Sequence, residues 1–405
     1  MLRLLIENTL GKEKKMRHWN EAKIKEFADV KGGKRLPKGK QLIKEQNSHP
    51  YIRIRDLGKS KYLQLTSEYE YVDDDTQKLI ARYIVNKGDI LISVVGTIGL
   101  IGIVGDTLDK ANQTENCDKI VNIKGIIPEY LYYYLVSDFG QEEIRKGTVG
   151  AVQPKLPLKN VQDISVRYPS IEEQEKIVSI LSSIDEKIAT NETINNNLEQ
   201  QAQAIYQQMF VDNPSPEWKE GTLSDIADIT MGQSPSGSSY NEESNGTIFF
   251  QGRAEFGFRF PTVRLFTTEP KRMACANDTL MSVRAPVGDL NVAHTDCCIG
   301  RGLAAIHSKT NHQSFVLYTM FSLKKQLDVF NGEGTVFGSI NRNSLNEMPI
   351  LIPSDEKLDE FEGIVAPMDT AIRNNYDEIC RLEQIRDSLL PKLMSGELDV
   401  SDIDL

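Results

Sequence analysis

WNEAKIKEFADV (residues 19–30) returns 199 residues later as WKEGTLSDIADI (218–229). The two stretches align without a gap and keep their apolar places in step: Ile24 with Leu223, Phe27 with Ile226, Val30 with Ile229. GDILISVVGTIG (88–99) then matches NDTLMSVRAPVG (277–288) at an offset of 189, and ISVRYPS (164–170) matches MPILIPS (348–354) at an offset of 184. The last offset continues from IDEKI (184–188) to MDTAI (368–372). Offsets that shrink only between blocks indicate loop deletions inside a duplicated unit. The period is far too long for a solenoid of stacked repeats. The chain is one unit written twice.

Each copy has two parts. The first, roughly 19–165 and 218–350, holds short β-rich runs (YIRIRDL, ILISVV, TIFFQG, TLMSV) broken by Gly, Pro, Asn and Asp, with helical stretches expected around 128–146 and 311–331. The second part reads as one long helix, roughly 170–211 and 354–395. Ser170 and Glu173 form a capping box just after Pro169, and Ser354 after Pro353 offers the same cap with Asp355 and Glu356 in the first turn.

A heptad seam follows in both helices. In the first it is Leu181, Ile184, Ile188, Asn191, Asn195, Leu198, Ala202, Ile205 and Met209; in the second it is Val365, Met368, Ile372, Asn375, Ile379, Leu382, Arg386, Leu389 and Leu393. Alternating steps of three and four make a narrow coiled-coil stripe. Asn191 and Asn375, equivalent polar places, would fix register, and Arg386 is expected near the rod's end with its head group out. Asn213-Pro214 ends the first helix and Gly396 the second; Pro367 falls inside the second and would be the place for a kink. The fold class that follows is α+β: two similar mixed α/β domains separated by two long helices that pair as an antiparallel coiled coil, pseudo-two-fold. The boundaries are 1–168, 169–213, 214–353 and 354–405. About 40 helical residues at ~1.5 Å each make a rod of roughly 60 Å, comparable to about 18 base pairs.

Length and composition bound the function. The chain has 405 residues, enough for about two to three domains, and 40% hydrophobic residues to fill their cores. No run approaches the roughly 18 to 20 apolar residues of a membrane span. The beginning, MLRLLIENTLGKEKKMR, reads as no signal peptide, and Cys117, Cys275, Cys297, Cys298 and Cys380 show neither CxxC nor a Cys/His ligand spacing. A reducing cytoplasm fits best. The net charge of -11 is unevenly spread: residues 1–168 hold 28 Lys+Arg against 22 Asp+Glu, while 169–217 hold 2 against 9 and 354–405 hold 5 against 14. Residues 218–353 are near neutral, with 12 against 13. Local field, not the total, decides whether phosphate is attracted, and the acidity lies mainly in the helices.

Taken in order, these segments resemble the specificity subunits of type I restriction-modification systems, built as target-recognition domain, spacer helix, target-recognition domain, spacer helix. The resemblance runs from Trp19 to about Val400. It is carried by Trp19 and Ile24-Lys25-Glu26-Phe27-Ala28, by GGKRLPKG (32–39) and YIRIRD (51–56), by the GDILIS block, by Ala111-Asn112-Gln113 and PSIEEQEKI (169–177), and by Ile299-Gly300-Arg301-Gly302-Leu303. The second helix departs from the pattern, with Glu356-Lys357-Leu358 where the first has Glu172-Glu173-Gln174. The resemblance implies that each globular domain reads one half of a split site in double-stranded DNA. It implies that the helices set the gap and dock methyltransferase (M) subunits, and that restriction/translocase (R) subunits join. S-adenosylmethionine, ATP and Mg would belong to those partners, and no cofactor to this chain.

Candidate contacts follow from residue chemistry. Lys31, Lys34, Arg35, Lys38 and Lys40 form a basic Gly/Pro loop suited to phosphate, which positions a protein without reading sequence. Arg53 and Arg55 alternate with Ile52 and Ile54; on a strand they would share one face and could reach guanine edges, or else pair with Asp56 or Asp73. Arg253, Arg284, Arg301 and Arg342 stand beside glycines or in turn-like sequence, and Gln113 and Gln233 could read adenine. GTIG (96–99) and PVG (286–288) lack the ending of a phosphate-binding loop and read as tight turns. The Asp73-Asp74-Asp75 run reads as a solvated loop. No catalytic or metal-binding constellation emerges: the five histidines show no ligand spacing, and no methyltransferase motif is present. The rival is the targeting part of a single-chain DNA methyltransferase or nuclease.

Overall fold

The computed structural model describes residues 19–332, 338–401 and 403. The chain divides into two compact units, Met1–Thr190 with Glu378–Leu405, and Asn191–Asp377. Both divisions fall inside a long helix, Ile171–Tyr206 or Asp355–Ser395. Each unit therefore contains one β-rich head, a stretch of the first long helix and a stretch of the second.

In the first unit the main sheet runs in the order Asp29–Gly32, Cys117–Val121, Ile90–Ser93, Ile101–Val104, Tyr62–Leu63. Neighbours are antiparallel except the last pair. A smaller sheet sets Pro50–Ile52 between Glu70–Tyr71 and, in parallel, Asn112–Gln113. The hydrophobic strand ILIS is buried at every position, which is why it reads as a continuous apolar run rather than an alternating one. Its face packs on the helix Pro128–Val136, where Tyr130, Leu131 and Leu135 are fully buried. Ile177, Ile180 and Leu181 of the first long helix and Leu393 and Met394 of the second belong to the same core. Asp185 meets Arg386 at 3.5 Å and Lys187 meets Glu378 at 3.3 Å. Positions that rise along one helix meet positions that fall along the other, so the two stretches are antiparallel.

The second unit repeats this plan. Its sheet order is Ala227–Met231, Leu303–Ser308, Thr279–Ser282, Leu290–Val292, all antiparallel. The second sheet, here of five strands, again holds a parallel pair, Thr247–Phe250 with Cys297–Ile299. Ile90 pairs with Ile103 in the first unit and Thr279 with Val292 in the second, a constant offset of 189 that carries the sequence repeat into strand register. Ala202, Tyr206 and Phe210 pack with Leu358, Phe361, Val365 and Ile372 and with Phe315 of the head in one core. Asn195 donates to the Ile372 carbonyl at 3.4 Å and accepts from Asn375 at 2.9 Å.

Several expectations change in detail. The seam is wider than a coiled-coil stripe, because the heads add a second apolar face: Ile180, Tyr206 and Phe210 are buried outside the heptad places. Among seam residues, Leu181, Ile184, Ile188, Asn191, Val365 and Ile372 are buried, whereas Leu198, Ile205, Met368, Asn375, Leu382 and Leu389 are half-buried. Asn375 takes Asn195 as its partner. Arg386 is not turned outward; it is half-buried and shared between Asp185 and Asp387. The helix passes Pro367 without interruption, and both Pro367 and Gly363, whose carbonyl loses its donor there, are exposed to water. Asp73 is a helix cap rather than a solvated loop residue: its carboxylate accepts from the Thr76 amide at 2.6 Å at the start of Asp74–Ile80.

The sequence departure at the second helix has a structural counterpart. In the first unit Gln174 is fully buried and its side-chain oxygen accepts from the Ile127 amide at 2.9 Å, beside the start of Pro128–Val136. Leu358 stands at the corresponding place in the second unit, and the job moves one turn on. The Glu362 carboxylate accepts from the Ser314 and Phe315 amides at 3.0 and 3.3 Å at the start of Gln313–Ser322. The Ser170 cap is present, with the Glu173 amide donating to its hydroxyl at 3.3 Å. No helix among the described residues is long and apolar enough to cross a membrane.

Candidate nucleic-acid interface

In the first unit several strands deliver their exits to one place. After Asp29–Gly32 the Gly33 amide donates to the Cys117 carbonyl at 3.2 Å. The Thr114 amide donates to Ile52 at 3.1 Å and the Val94 amide to Asn116 at 2.8 Å. The loops carrying Arg35, Arg53 and Arg55, and Thr114 to Asn116 therefore border a common cleft of about 390 Å³. A side chain at Gly33 would not fit: a Cβ there would lie 2.0 Å from the Thr114 carbonyl oxygen.

The cleft holds three guanidinium groups against two carboxylates. Arg35 Nε donates to Glu115 at 2.6 Å. Arg53 donates to Glu70, and Arg55 Nη2 donates to the same carboxylate at 3.0 Å and to the Glu68 carbonyl at 3.0 Å. Burial alone would raise the Glu115 carboxyl, but its bonds to Arg35 and its neighbours hold it below the usual carboxylate range. The arginines are thus aimed and held by acceptors that a phosphate or a guanine edge could replace, since all of these offer oxygen or nitrogen lone pairs to a planar fork.

The expected strand through Arg53 and Arg55 is instead the end of a short strand followed by a 3₁₀ turn, Ile54–Asp56, closed by the Arg53 amide donating to Asp56 at 2.7 Å. The two arginines come together through Glu70 rather than through strand alternation; Asp56 is only a 3.7 Å neighbour of Arg55. Gln113 is corrected outright. It is buried, and its amide donates to the Cys117 carbonyl at 3.2 Å inside the sheet, so it presents nothing to a base. Lys40 is tied to Asp73 at 3.3 Å and supports that helix cap. Lys34 and Lys38 are exposed, Lys34 with its ammonium 5.8 Å from the Tyr83 ring.

The second unit places other side chains at the same backbone points. Gly232 repeats the close approach, its Cβ position lying 2.1 Å from the Gly300 carbonyl oxygen. The Gly300 amide donates to Phe250 as Thr114 does to Ile52. Position by position, Gln233 then corresponds to Lys34, Gln251 to Arg53 and Arg301 to Glu115. The charge at the last pair is reversed. Gln233, Arg284, Arg301 and Arg342 are exposed, and among the described residues none of these three arginines has a carboxylate partner. Arg253 is held by Asp289 at 2.7 Å. Among the described residues no group of three His, Cys, Asp or Glu could hold a metal ion.

Sequence reasoning missed Glu70, Glu115 and Asp118. Glu70 sits on a neighbouring strand, and no spacing rule links it to Arg53. Asp118 lies beside Gly32 on the sheet, with one oxygen buried and without a partner. Burial raises its pKa to about 6. A carboxyl raised in the folded state contributes stability that is complete below its unfolded pKa of about 4 and is lost as pH rises through about 6. Asp118→Asn is expected to gain on the native protein across that window by up to about 3 kcal/mol, read as the difference between the two unfolding free energies at pH 4 and pH 8. A difference that does not change with pH would contradict the assignment.

The sequence matches the type I restriction modification DNA specificity domain twice, over residues 16–200 and 216–377. A Methanocaldococcus jannaschii protein provisionally named the type I restriction enzyme MjaX specificity subunit is 29% identical, the alignment covering 94% of each chain. The type I restriction enzyme MjaIX specificity subunit of the same organism is 26% identical over 98% of this chain and 97% of its own. Among solved structures, the S subunit of a type I restriction-modification system from M. genitalium shares the fold, with a TM-score of 0.60 at 17% identity over 95% of this chain and 98% of that one.

Proposed function

The chain belongs to the type I restriction modification DNA specificity family, and from that premise we propose that each head reads one half of a bipartite DNA site while the paired helices set the gap and dock methyltransferase subunits. Its role is sequence-specific DNA recognition within a restriction-modification complex, without catalysis of its own. In this reading S-adenosylmethionine, ATP and Mg act in the methyltransferase and translocase partners, and the complex works in the cytoplasm. The functional division of the chain is 1–168, 169–213, 214–353 and 354–405.

One observation carries the two-reader reading. Both heads have the same strand exits and the same glycine contact, yet Lys34, Arg53 and Glu115 in one stand where Gln233, Gln251 and Arg301 stand in the other. A shared scaffold with different side chains at its rim suits two readers of unlike half-sites. Arginine pairs best with guanine, glutamine with adenine, and a carboxylate can accept from cytosine.

Exchange of residues 19–168 for the head of a relative tests this. Methylated positions are expected to change in one half of the motif only; a change in both halves would overturn the proposal. At finer grain, Arg301→Ala is expected to relax specificity at one base pair by about 1–3 kcal/mol. Lys38→Ala should weaken binding to all sequences alike and lower the salt slope by about 1. Binding isotherms against single-base variants at several salt concentrations separate the two behaviours.

A further inference from the structure

Each unit buries a cation where its head meets its long helices. In the first, Lys61 is almost fully enclosed; its ammonium donates to the Tyr133 hydroxyl at 2.9 Å and to Ser182 at 2.8 Å and lies 3.7 Å from Asp185. Tyr133 in turn donates to Asp185 at 2.5 Å. In the second, Arg259 is equally enclosed and donates to the Tyr318 hydroxyl and to Asp369, both at 3.1 Å, while Tyr318 donates to Asp369 at 2.9 Å.

The two clusters are copies of one device. Tyr133 and Tyr318 are 185 residues apart and Asp185 and Asp369 are 184 apart, the offset of the repeat. Lys61 and Arg259 occupy one backbone place: the Ile103 amide donates to the Lys61 carbonyl and the Val292 amide to the Arg259 carbonyl, each at 2.8 Å. Ile103 and Val292 themselves are equivalent in strand register. In both, the cation comes from the edge of the sheet, the tyrosine from a head helix and the aspartate from a long helix. Cation and tyrosine changed little in role while Lys became Arg, so the arrangement, not one residue type, is repeated.

We propose that the Lys61–Tyr133–Asp185 and Arg259–Tyr318–Asp369 clusters are positioning residues that fix the angle of each head on its helices, and thereby the spacer length that the protein accepts. The inference rests on the two-reader function above. A buried ion pair is weak evidence for stability, because desolvation offsets most of its attraction; burial indeed pushes the Lys61 ammonium down against the pull of Asp185. Apolar contacts would hold head to helix as well but allow it to slide, whereas a charge bonded by a directional hydroxyl has one satisfactory geometry. Such accuracy matters on DNA. One base pair moves a half-site by ~3.4 Å and turns it by roughly 34°, so a head free to swivel by that angle would accept neighbouring spacers.

The test uses the full chain assembled with its methyltransferase partner, S-adenosylmethionine and duplexes carrying the mapped half-sites at the native spacer and at one base pair more or fewer. The variant Lys61→Met/Tyr133→Phe/Asp185→Leu keeps volume and removes the charges. It should melt no lower than the native protein yet lose about tenfold of its preference for the native spacer, equivalent to ~1.4 kcal/mol. Lys61→Arg should retain the preference. An apolar variant that folds and discriminates as well as the native chain overturns the proposal. Should that variant not fold, Tyr133→Phe and Tyr318→Phe, which keep the packing, decide instead: a smaller drop in preference supports the inference and an unchanged preference overturns it. A native complex indifferent to spacer length would refute the underlying two-reader function, a distinguishable result.

Discussion

Replacing Phe361 by alanine is expected to cost about 3–5 kcal/mol of stability. Phe361 is fully buried, on the second long helix, and its ring lies 5.2 Å from that of Phe210, 5.8 Å from Tyr206, 6.1 Å from Tyr318 and 6.3 Å from Phe315. Those partners come from the other long helix and from the head, so one truncation opens a cavity where three elements converge. Neighbouring aromatic rings are too rigid to collapse into it, which puts the cost toward the upper end of the range. Ile177, the corresponding residue of the first unit, is also buried, and Ile177→Ala should cost less because fewer atoms are removed. Denaturant unfolding checks both; a Phe361→Ala loss below about 1 kcal/mol would mean that helix and head do not share a core.

Gly33→Ala is expected to be the next most damaging change and to act on reading as well as stability. The added methyl would meet the Thr114 carbonyl oxygen at 2.0 Å and its carbon at 2.6 Å. Both are backbone atoms, so no rotamer relieves the clash and the two strand exits must separate. Overpacking of this kind costs about 1–3 kcal/mol. Because the same contact spaces Arg35 from Glu115, recognition of the first half-site should weaken while the second is kept. Gly232→Ala, at 2.1 Å from the Gly300 carbonyl oxygen, should give the mirror result. Gly237, with nothing within 4 Å, is the control, and alanine there should be silent. Methylation assays on single half-site variants, with unfolding curves, read all three. Equal loss of both half-sites from Gly33→Ala would argue against separate readers.

Much of the fold was legible because duplication doubles every signal. WNEAKIKEFADV is weak alone, but its return as WKEGTLSDIADI, followed by two more blocks in order, marks two heads and two helices. The heptads located the buried side of each helix, and Leu181, Ile188, Val365 and Ile372 are enclosed as that periodicity requires. What periodicity could not show is that the heads bury a further face of the same helices, so Ile180, Tyr206 and Phe210 read as flanks and are core. The rim was half legible. Basic and glycine-rich segments pointed to Arg35, Arg53 and Arg301, but not to Glu115 and Glu70, which reach Arg35 and Arg53 across strands. Gln113 failed for the same reason: in sequence it is a polar side chain able to pair with adenine, and in space it closes a sheet. The Lys61 and Arg259 clusters were invisible because both cations lie in the gap between matching blocks, where the offset changes from 199 to 189.

Mapping modified bases in a host genome with and without this chain, its methyltransferase partner being present in both, tests the central claim most directly. A motif of two unlike specified halves separated by a fixed run of unspecified bases, present only with the chain, is the predicted result. A single continuous motif, or a pattern that persists when the chain is removed, would contradict it.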